Sequence, residues 1–230
     1  MYLAFTIILI VAYILGIIGI KYIKKNKYCD IVIPITIFIT YLYCVVTIYL
    51  KSGFKDWNFK NAMPTANVSP FMFFSILIIC ILPKNIKKYG FTLISLLSVG
   101  MVVAGMITMI FNHLRSYTFY LHFALDSIAH LLLSLYGIYL FKTDQTFKNI
   151  KNNIFSGLVI VSVAVIMLII NLIFKTSFFG LSLYGNHNIY NIVVCNNGVL
   201  SAIIYFNGLM LVLLIGYLFR IFLSRMIYKN

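Results

Sequence analysis

The polar residues of one strongly apolar stretch have the types and spacing of a chemically active helix face. Five of them recur every four residues: Thr118, His122, Asp126, His130 and Ser134. In a helix of 3.6 residues per turn, a four-residue step advances about 40° around the axis, so these side chains form one slowly winding stripe. A carboxylate with a histidine one turn away on either side can relay protons, assist a catalytic base or contribute metal ligands.

The same stripe has two further interpretations. The two histidines could satisfy Asp126 and fix helix packing, because interhelical polar contacts are often structural. A metal ion could bind a His–Asp pair, but His122 and His130 lie two turns, about 12 Å, apart along the axis. One ion therefore cannot bind both histidines, and a metal site would need ligands from other helices. We predict neither a metal nor a cofactor.

A second group of polar residues opens another apolar stretch, KNAMPTANVSPFMFF. Pro64 and Pro70 weaken the helical hydrogen-bond ladder, and Thr65, Asn67 and Ser69 stand between them. Irregular polar backbone at membrane depth is tolerated only where it is buried in protein or lines a water-filled cavity. These residues are therefore candidates for lining such a cavity.

The composition places both groups in a membrane protein. The 230 residues are 63% hydrophobic and only 10% charged, with a mean hydropathy of +1.03, whereas soluble domains are roughly a quarter charged. One soluble core could not bury this much apolar surface. The net charge of +14 sits in short gaps between apolar runs, which favours topology control and attraction to anionic lipids over nucleic-acid binding.

Seven stretches approach the roughly 20 apolar residues that a spanning helix needs. They are residues 3–20, 31–50, 64–83, 91–111, 117–141, 154–174 and 199–220. We therefore predict an all-α fold, in which residues 1–230 form a single polytopic helical bundle. The first stretch is expected to be a retained span and not a signal peptide.

Lysine and arginine residues predict the orientation of this bundle. The gaps after spans 1, 3 and 5, together with the C-terminal tail, hold 13 of the 18 basic residues. Basic residues concentrate on the cytoplasmic side, so we predict an outer N-terminus and a cytoplasmic C-terminus. The bias towards Ile, Lys, Asn, Tyr and Phe indicates an AT-rich bacterial genome, so the expected location is a bacterial plasma membrane.

With this orientation, polar residues of several spans share the outer half of the bundle. The last span carries Asn197, Ser201 and Tyr205 on one face, and Asn112 lies at the outer end of the fourth. We predict a cavity that opens outwards, with a set of candidate substrate-binding residues: Asn67, Ser69, Asn112, Asn197, Ser201 and Tyr205.

These motifs resemble the bacterial YwaF-like integral membrane proteins, which are related to a eukaryotic family of transmembrane phospholipid acyltransferases. The similarity covers roughly residues 60–220. In the eukaryotic relatives a Leu-Pro-Cys-His stretch supplies a nucleophilic cysteine, and a histidine before Ile-Tyr-Leu supplies the base. This chain has Met-Pro-Thr-Ala at 63–66 and His130 before Ile-Tyr-Leu at 138–140. The resemblance therefore implies Thr65 as nucleophile and His130 as base.

Depth in the membrane points to the other histidine. Thr65 begins its span at the outer boundary, whereas His130 lies about 13 residues, roughly 20 Å, into helix 5. His122 lies only about 8 Å from the same end. Both histidines therefore remain candidates for the base.

Two functional hypotheses follow, with a bundle that has no site as a third. The first is an acyltransferase or hydrolase acting on lipid acyl groups, in which Thr65 or the neighbouring Ser69 attacks and Asp126 orients the histidine. The alternative is a transport or solute-binding protein that uses the His–Asp–His stripe. Membrane lipids are the expected partners.

Overall fold

The computed structural model describes residues 2–26, 28–51, 68–111, 120–143, 149–176 and 198–227. This part of the chain forms seven α-helices and contains no β-strand, in agreement with the predicted all-α class. In chain order the helices are α1 (Tyr2–Ile20), α2 (Cys29–Lys51), α3 (Val68–Ile81), α4 (Lys84–Phe111), α5 (Tyr120–Thr143), α6 (Ile150–Phe174) and α7 (Gly198–Ile227).

Within the described ranges, four helices contain segments that are long and apolar enough to cross a membrane. These are Cys29–Thr47 in α2, Ala124–Thr143 in α5, Ile150–Phe174 in α6 and Phe206–Leu223 in α7. Large apolar side chains also point outwards, and Ile8, Leu15 and Ile173 are each more than 60% exposed. Such surfaces suit lipid and not water, because exposed apolar patches of this extent are rare on soluble proteins. The fold is compatible with a multi-pass membrane protein.

The helix α4 begins at Lys84, earlier than the predicted start at residue 91. Its start is set by Pro83, whose carbonyl accepts hydrogen bonds from the N–H groups of Ile86 and Lys87 at 3.0 and 2.9 Å. Proline favours a helix start because its missing N–H would have no partner there. The lysine-rich gap that hydropathy predicted as a loop is therefore the first turns of a helix.

Two later helices also extend beyond their apolar stretches. Asn149 caps α6, because its side-chain oxygen accepts a hydrogen bond from the Lys151 N–H at 2.9 Å, and the helix begins at Ile150. The last helix continues to Ile227, past the predicted end at residue 220. Hydropathy marks where the apolar surface ends, whereas caps and propensity decide where the helix ends.

The helices α4 and α5 form the interior of the bundle. In the apolar segment of α5, 61% of the residues are buried, against 17% in those of α2 and α7 and 22% in that of α6. The helix α5 packs against α1, α2 and α4, and α4 packs in turn against α3, α6 and α7. The apolar segment of α5 is therefore the most buried of the four, although the Asp126 side chain on it stays 43% exposed.

Hydrogen bonds between helix ends show that the helices alternate in direction. The Lys142 ammonium of α5 donates to the carbonyls of Ile20 and Ile23 at 2.8 and 2.7 Å, and also to that of Lys21, where α1 ends. The Tyr139 hydroxyl donates to the Asp30 carboxylate at the start of α2, at 3.1 Å. The ends of α1 and α5 therefore meet the beginning of α2.

The remaining helices meet at the same end. The Cys80 thiol of α3 donates to the Asp30 carbonyl at 3.4 Å, and Ser156 of α6 donates to the Tyr89 carbonyl of α4 at 3.1 Å. Arg220 of α7 donates to the Asn153 side chain of α6 at 3.3 Å. We call this the basic end, because many Lys and Arg residues lie there: Lys21, Lys24, Lys25, Lys84, Lys87, Lys88, Lys142, Lys151, Arg220 and Arg225. In the described part of the chain, the opposite end has Lys51 and Lys175.

Two glycines allow α4 and α7 to approach closely. A Cβ atom on Gly100 would overlap the backbone carbonyl of Val212, and one on Gly216 would overlap that of Leu96. Small residues at such crossings let helix backbones touch, which is a common basis of helix association in membranes.

Candidate functional site

The histidine His130 of α5 is hydrogen-bonded to a serine at the start of α3. Its Nε2 atom lies 2.9 Å from the Ser69 Oγ atom. Both side chains are partly buried, and that of His130 is 22% exposed. The contact joins the polar stripe of α5 to the proline-flanked motif of α3.

The other ring nitrogen fixes the tautomer of His130. Its Nδ1 atom lies 2.8 Å from the backbone carbonyl of Asp126, one turn earlier on α5. Because a carbonyl oxygen can only accept, Nδ1 carries the proton in the neutral ring and Nε2 presents a lone pair. The Ser69 hydroxyl must then donate to Nε2, as a nucleophile donates to its general base.

The Asp126 carboxylate lies next to His130, so the side chains of Ser69, His130 and Asp126 are neighbours in that order. Its Oδ1 atom lies 3.4 Å from His130 Nδ1, and its side chain is 43% exposed. The backbone carbonyl is thus the closer partner, and the carboxylate adds an anion beside the ring. A negative charge at this position stabilises an imidazolium that forms when the histidine takes a proton.

The sequence around Ser69 explains why its hydroxyl lies at the beginning of a helix. The helix α3 is described from Val68, and Ser69 is followed by Pro70, a residue that is well tolerated in the first turn of a helix.

Two aromatic rings support the imidazole. Phe73, one turn after Ser69 on α3, is fully buried, and its ring meets that of His130 edge-on with centroids 5.3 Å apart. Tyr41 of α2 stacks on Phe73 at 4.3 Å with the ring planes 12° apart. The site thus receives side chains from α2, α3 and α5.

The stripe on α5 divides between two neighbouring helices. His130 turns towards α3, whereas the buried Ser134 lies 2.6 Å from the Tyr13 hydroxyl of α1. The slow rotation of a four-residue repeat accounts for the change of partner. Ser134 therefore acts in helix packing.

Several predicted site residues lie outside the described part of the chain. These are Thr118, Thr65, Asn67, Asn112 and Asn197. For His122, Ser201 and Tyr205 the backbone lies in α5 or α7, but their side chains fall outside the description. Among the predicted residues that are described, Ser69, Asp126 and His130 come together.

Cys44 on α2 is a neighbour of the site that the sequence did not indicate. It is buried, and Asp126 is close enough to act on its thiol electrostatically. A single cysteine in an apolar helix has no spacing signal, so only the packing of α2 on α5 could reveal its position. No cluster of three or more potential metal ligands occurs among the described residues.

Comparisons with family models, with curated proteins and with solved structures gave no match.

Proposed function

We propose that the protein is a membrane-embedded serine hydrolase or acyltransferase that acts on lipid acyl esters, with Ser69 as nucleophile and His130 as base. The observation that carries the proposal is the 2.9 Å hydrogen bond between Ser69 Oγ and His130 Nε2. The tautomer imposed by the Asp126 carbonyl leaves Nε2 free to accept the serine proton. Resemblance to the YwaF-like proteins favours the same reaction class.

The mechanism follows from this geometry. The Ser69 oxygen bonds to the acyl carbon while its proton moves to Nε2, and the carbonyl oxygen becomes an oxyanion. We assign stabilisation of this charge to an amide side chain, with Asn67 and Asn197 as the candidates. The bond to the alcohol leaving group then breaks, and the leaving oxygen takes the proton from Nε2. Ser69 is left as an acyl-serine. Water or a second alcohol, deprotonated by His130, attacks the acyl-serine. The bond to the Ser69 oxygen then breaks, His130 returns the proton to that oxygen, and the acid or new ester is released.

The assignment to Ser69 differs from the one that the resemblance implies. Thr65 stands where the relatives have their nucleophile, and a threonine would need an adjacent base to react. The candidate base that the structure describes is His130, and its Nε2 atom accepts a hydrogen bond from the Ser69 hydroxyl. We therefore place the nucleophile on Ser69 and treat Thr65 and Asn67 as residues that contact the substrate.

The membrane setting supports a lipid substrate. We propose that all seven helices span the membrane with the basic end in the cytoplasm, as the positive-inside rule favours. Ser69 lies twelve residues, about 18 Å, from the end of α3 at Ile81. In a hydrocarbon core about 30 Å thick, this depth is past the middle, in the outer half of a bacterial plasma membrane.

A fluorophosphonate probe tests the proposal without a known substrate. It should label wild-type protein in nanodiscs at Ser69, as located by peptide mass spectrometry. Labelling should be lost in Ser69→Ala and fall at least about 100-fold in His130→Ala, because the base activates the oxygen. Thr65→Ala should retain labelling at Ser69, which distinguishes Ser69 from Thr65 as the nucleophile.

Two outcomes would contradict this assignment. One is wild-type protein that is folded, by circular dichroism, yet unlabelled at Ser69. The other is unchanged labelling in His130→Ala.

A proton-linked transporter is the second candidate. It is favoured by the 43% exposure of the Asp126 carboxylate within an apolar segment, because intramembrane acids commonly serve ion pathways. Vesicles containing the wild-type protein should then take up protons down a pH gradient, and Asp126→Asn should abolish the flux. A flux that matches protein-free vesicles would exclude this function.

A further inference from the structure

The imidazole of His130 is held on two edges by hydrogen bonds and on a third by an aromatic ring. Asp126 and Ser69 bind its two nitrogens, and Phe73 packs edge-on against it with centroids 5.3 Å apart. Phe73 is itself 0% exposed. A ring that is buried and stacked on a neighbour has very little freedom to move aside.

Tyr41 extends this contact to a third helix. Its ring stacks on Phe73 at 4.3 Å, almost parallel, and Tyr41 lies on α2, which packs along α5. Phe73 therefore contacts both Tyr41 and His130, and α2 supports the imidazole through it.

We infer that Phe73 and Tyr41 form an aromatic clamp that positions His130 for proton transfer from Ser69. The inference rests on the proposed function and adds positioning residues to it. The Asp126 carbonyl holds one ring nitrogen, but the ring can still pivot about that hydrogen bond, because the Ser69 hydroxyl can rotate with it. The Phe73 ring blocks that motion and keeps Nε2 on the line to Ser69 Oγ.

The clamp makes a prediction that separates positioning from substrate binding. Phe73→Leu should lower kcat for an acyl ester about tenfold, because small misplacements of a catalytic group have large effects on rate, and it should leave KM unchanged. Tyr41→Leu should also lower kcat, but by a smaller factor. Tyr41→Phe keeps the aromatic ring and should have the wild-type kcat. Phe74→Leu is the matched control, because the neighbouring Phe74 packs on Phe38.

A second measurement reads the imidazole directly. Carbethoxylation of His130 by diethyl pyrocarbonate, followed by peptide mass spectrometry, reports how readily the ring leaves its hydrogen bonds. In a Ser69→Ala background, Phe73→Leu should accelerate modification several-fold and Phe74→Leu should not. Because this assay needs no turnover, it tests the clamp even if Ser69 proves not to be a nucleophile.

Unchanged modification of His130 in Phe73→Leu, with the protein folded by circular dichroism, would overturn the inference. Equal changes in kcat for Phe73→Leu and Phe74→Leu would also overturn it, since they would indicate a general loss of packing in α3. If Phe73→Leu fails to fold, Tyr41→Leu decides the question, because Tyr41 is only partly buried and its loss leaves a smaller cavity.

Discussion

The two partners of His130 depend on the sequence in different ways. The carbonyl that holds Nδ1 belongs to the backbone of residue 126, so it is present whichever side chain stands there. The hydroxyl that faces Nε2 exists only because residue 69 is a serine. The tautomer of His130 is therefore robust to substitution at Asp126, whereas the reactive pair is not robust to substitution at Ser69.

This difference predicts a mild effect of Asp126→Asn on an acyl-transfer reaction. The tautomer is retained, and the carboxylate lies 3.4 Å from Nδ1, farther away than the backbone carbonyl at 2.8 Å. We expect kcat to fall about tenfold, far less than the roughly 10⁴-fold loss when the orienting aspartate of a serine-protease triad becomes asparagine. The measurement is steady-state hydrolysis of a soluble acyl ester at neutral pH.

A loss as large as that of Ser69→Ala would contradict this interpretation. It would mean that the carboxylate, and not the backbone carbonyl, orients the ring. His130→Ala in the same assay sets the scale for complete loss of the base.

Residue spacing predicted which side chains share the stripe but not which helices they meet. The four-residue spacing places His130 and Ser134 on one face, because each step turns only about 40°. That turn is enough to send His130 to Ser69 on α3 and Ser134 to Tyr13 on α1. Neighbours around a helix depend on tertiary packing, which a single periodic pattern does not contain.

At the scale of elements, apolar length predicted the number of helices in the described chain but not their ends. Pro83 starts α4 and Asn149 starts α6 through local hydrogen bonds that hydropathy does not measure. Hydropathy also does not give the position of α3 along the bundle axis, and this position decides which histidine of α5 lies level with Ser69. Counting residues from the outer ends of the predicted spans therefore favours His122, whereas the structure brings His130 to Ser69.

The contact between α4 and α7 gives a prediction about helix packing. Gly100→Ala would push a methyl group into the backbone carbonyl of Val212, and such overpacking typically costs about 1–3 kcal/mol. Gly208→Ala on α7 is the matched control, because no described atom lies within 4 Å of its added Cβ. Replacing an unconstrained helical glycine by alanine is neutral or stabilising by up to about 1 kcal/mol.

Thermal unfolding in detergent, followed by circular dichroism, measures both variants. We expect a lower Tm for Gly100→Ala and an equal or higher Tm for Gly208→Ala. Equal melting temperatures would mean that α4 and α7 do not touch at this crossing.

At the scale of the whole molecule, the charge distribution predicts which end faces the cytoplasm. Lys25 lies at the basic end and Lys175 at the opposite end, and both are exposed. In a variant whose four native cysteines are serines, Lys175→Cys should react with a membrane-impermeant maleimide in intact bacterial cells. Lys25→Cys should react only after permeabilisation, because basic loops stay in the cytoplasm.

Labelling of Lys25→Cys in intact cells would indicate the opposite orientation, with the basic end outside. Ser69 would then lie in the inner half of the membrane, and substrates would come from the cytoplasmic leaflet. The alternation of the helices, which follows from contacts between their ends, would be unaffected.

The partly exposed carboxylate of Asp126 has a consequence for the lipid around α5. A carboxyl group within an apolar segment is costly unless water reaches it, and bilayers respond by thinning locally and admitting hydration. We therefore expect the bilayer beside Asp126 to be thinned and to admit water, close to the histidine that would activate a water molecule in the proposed hydrolysis.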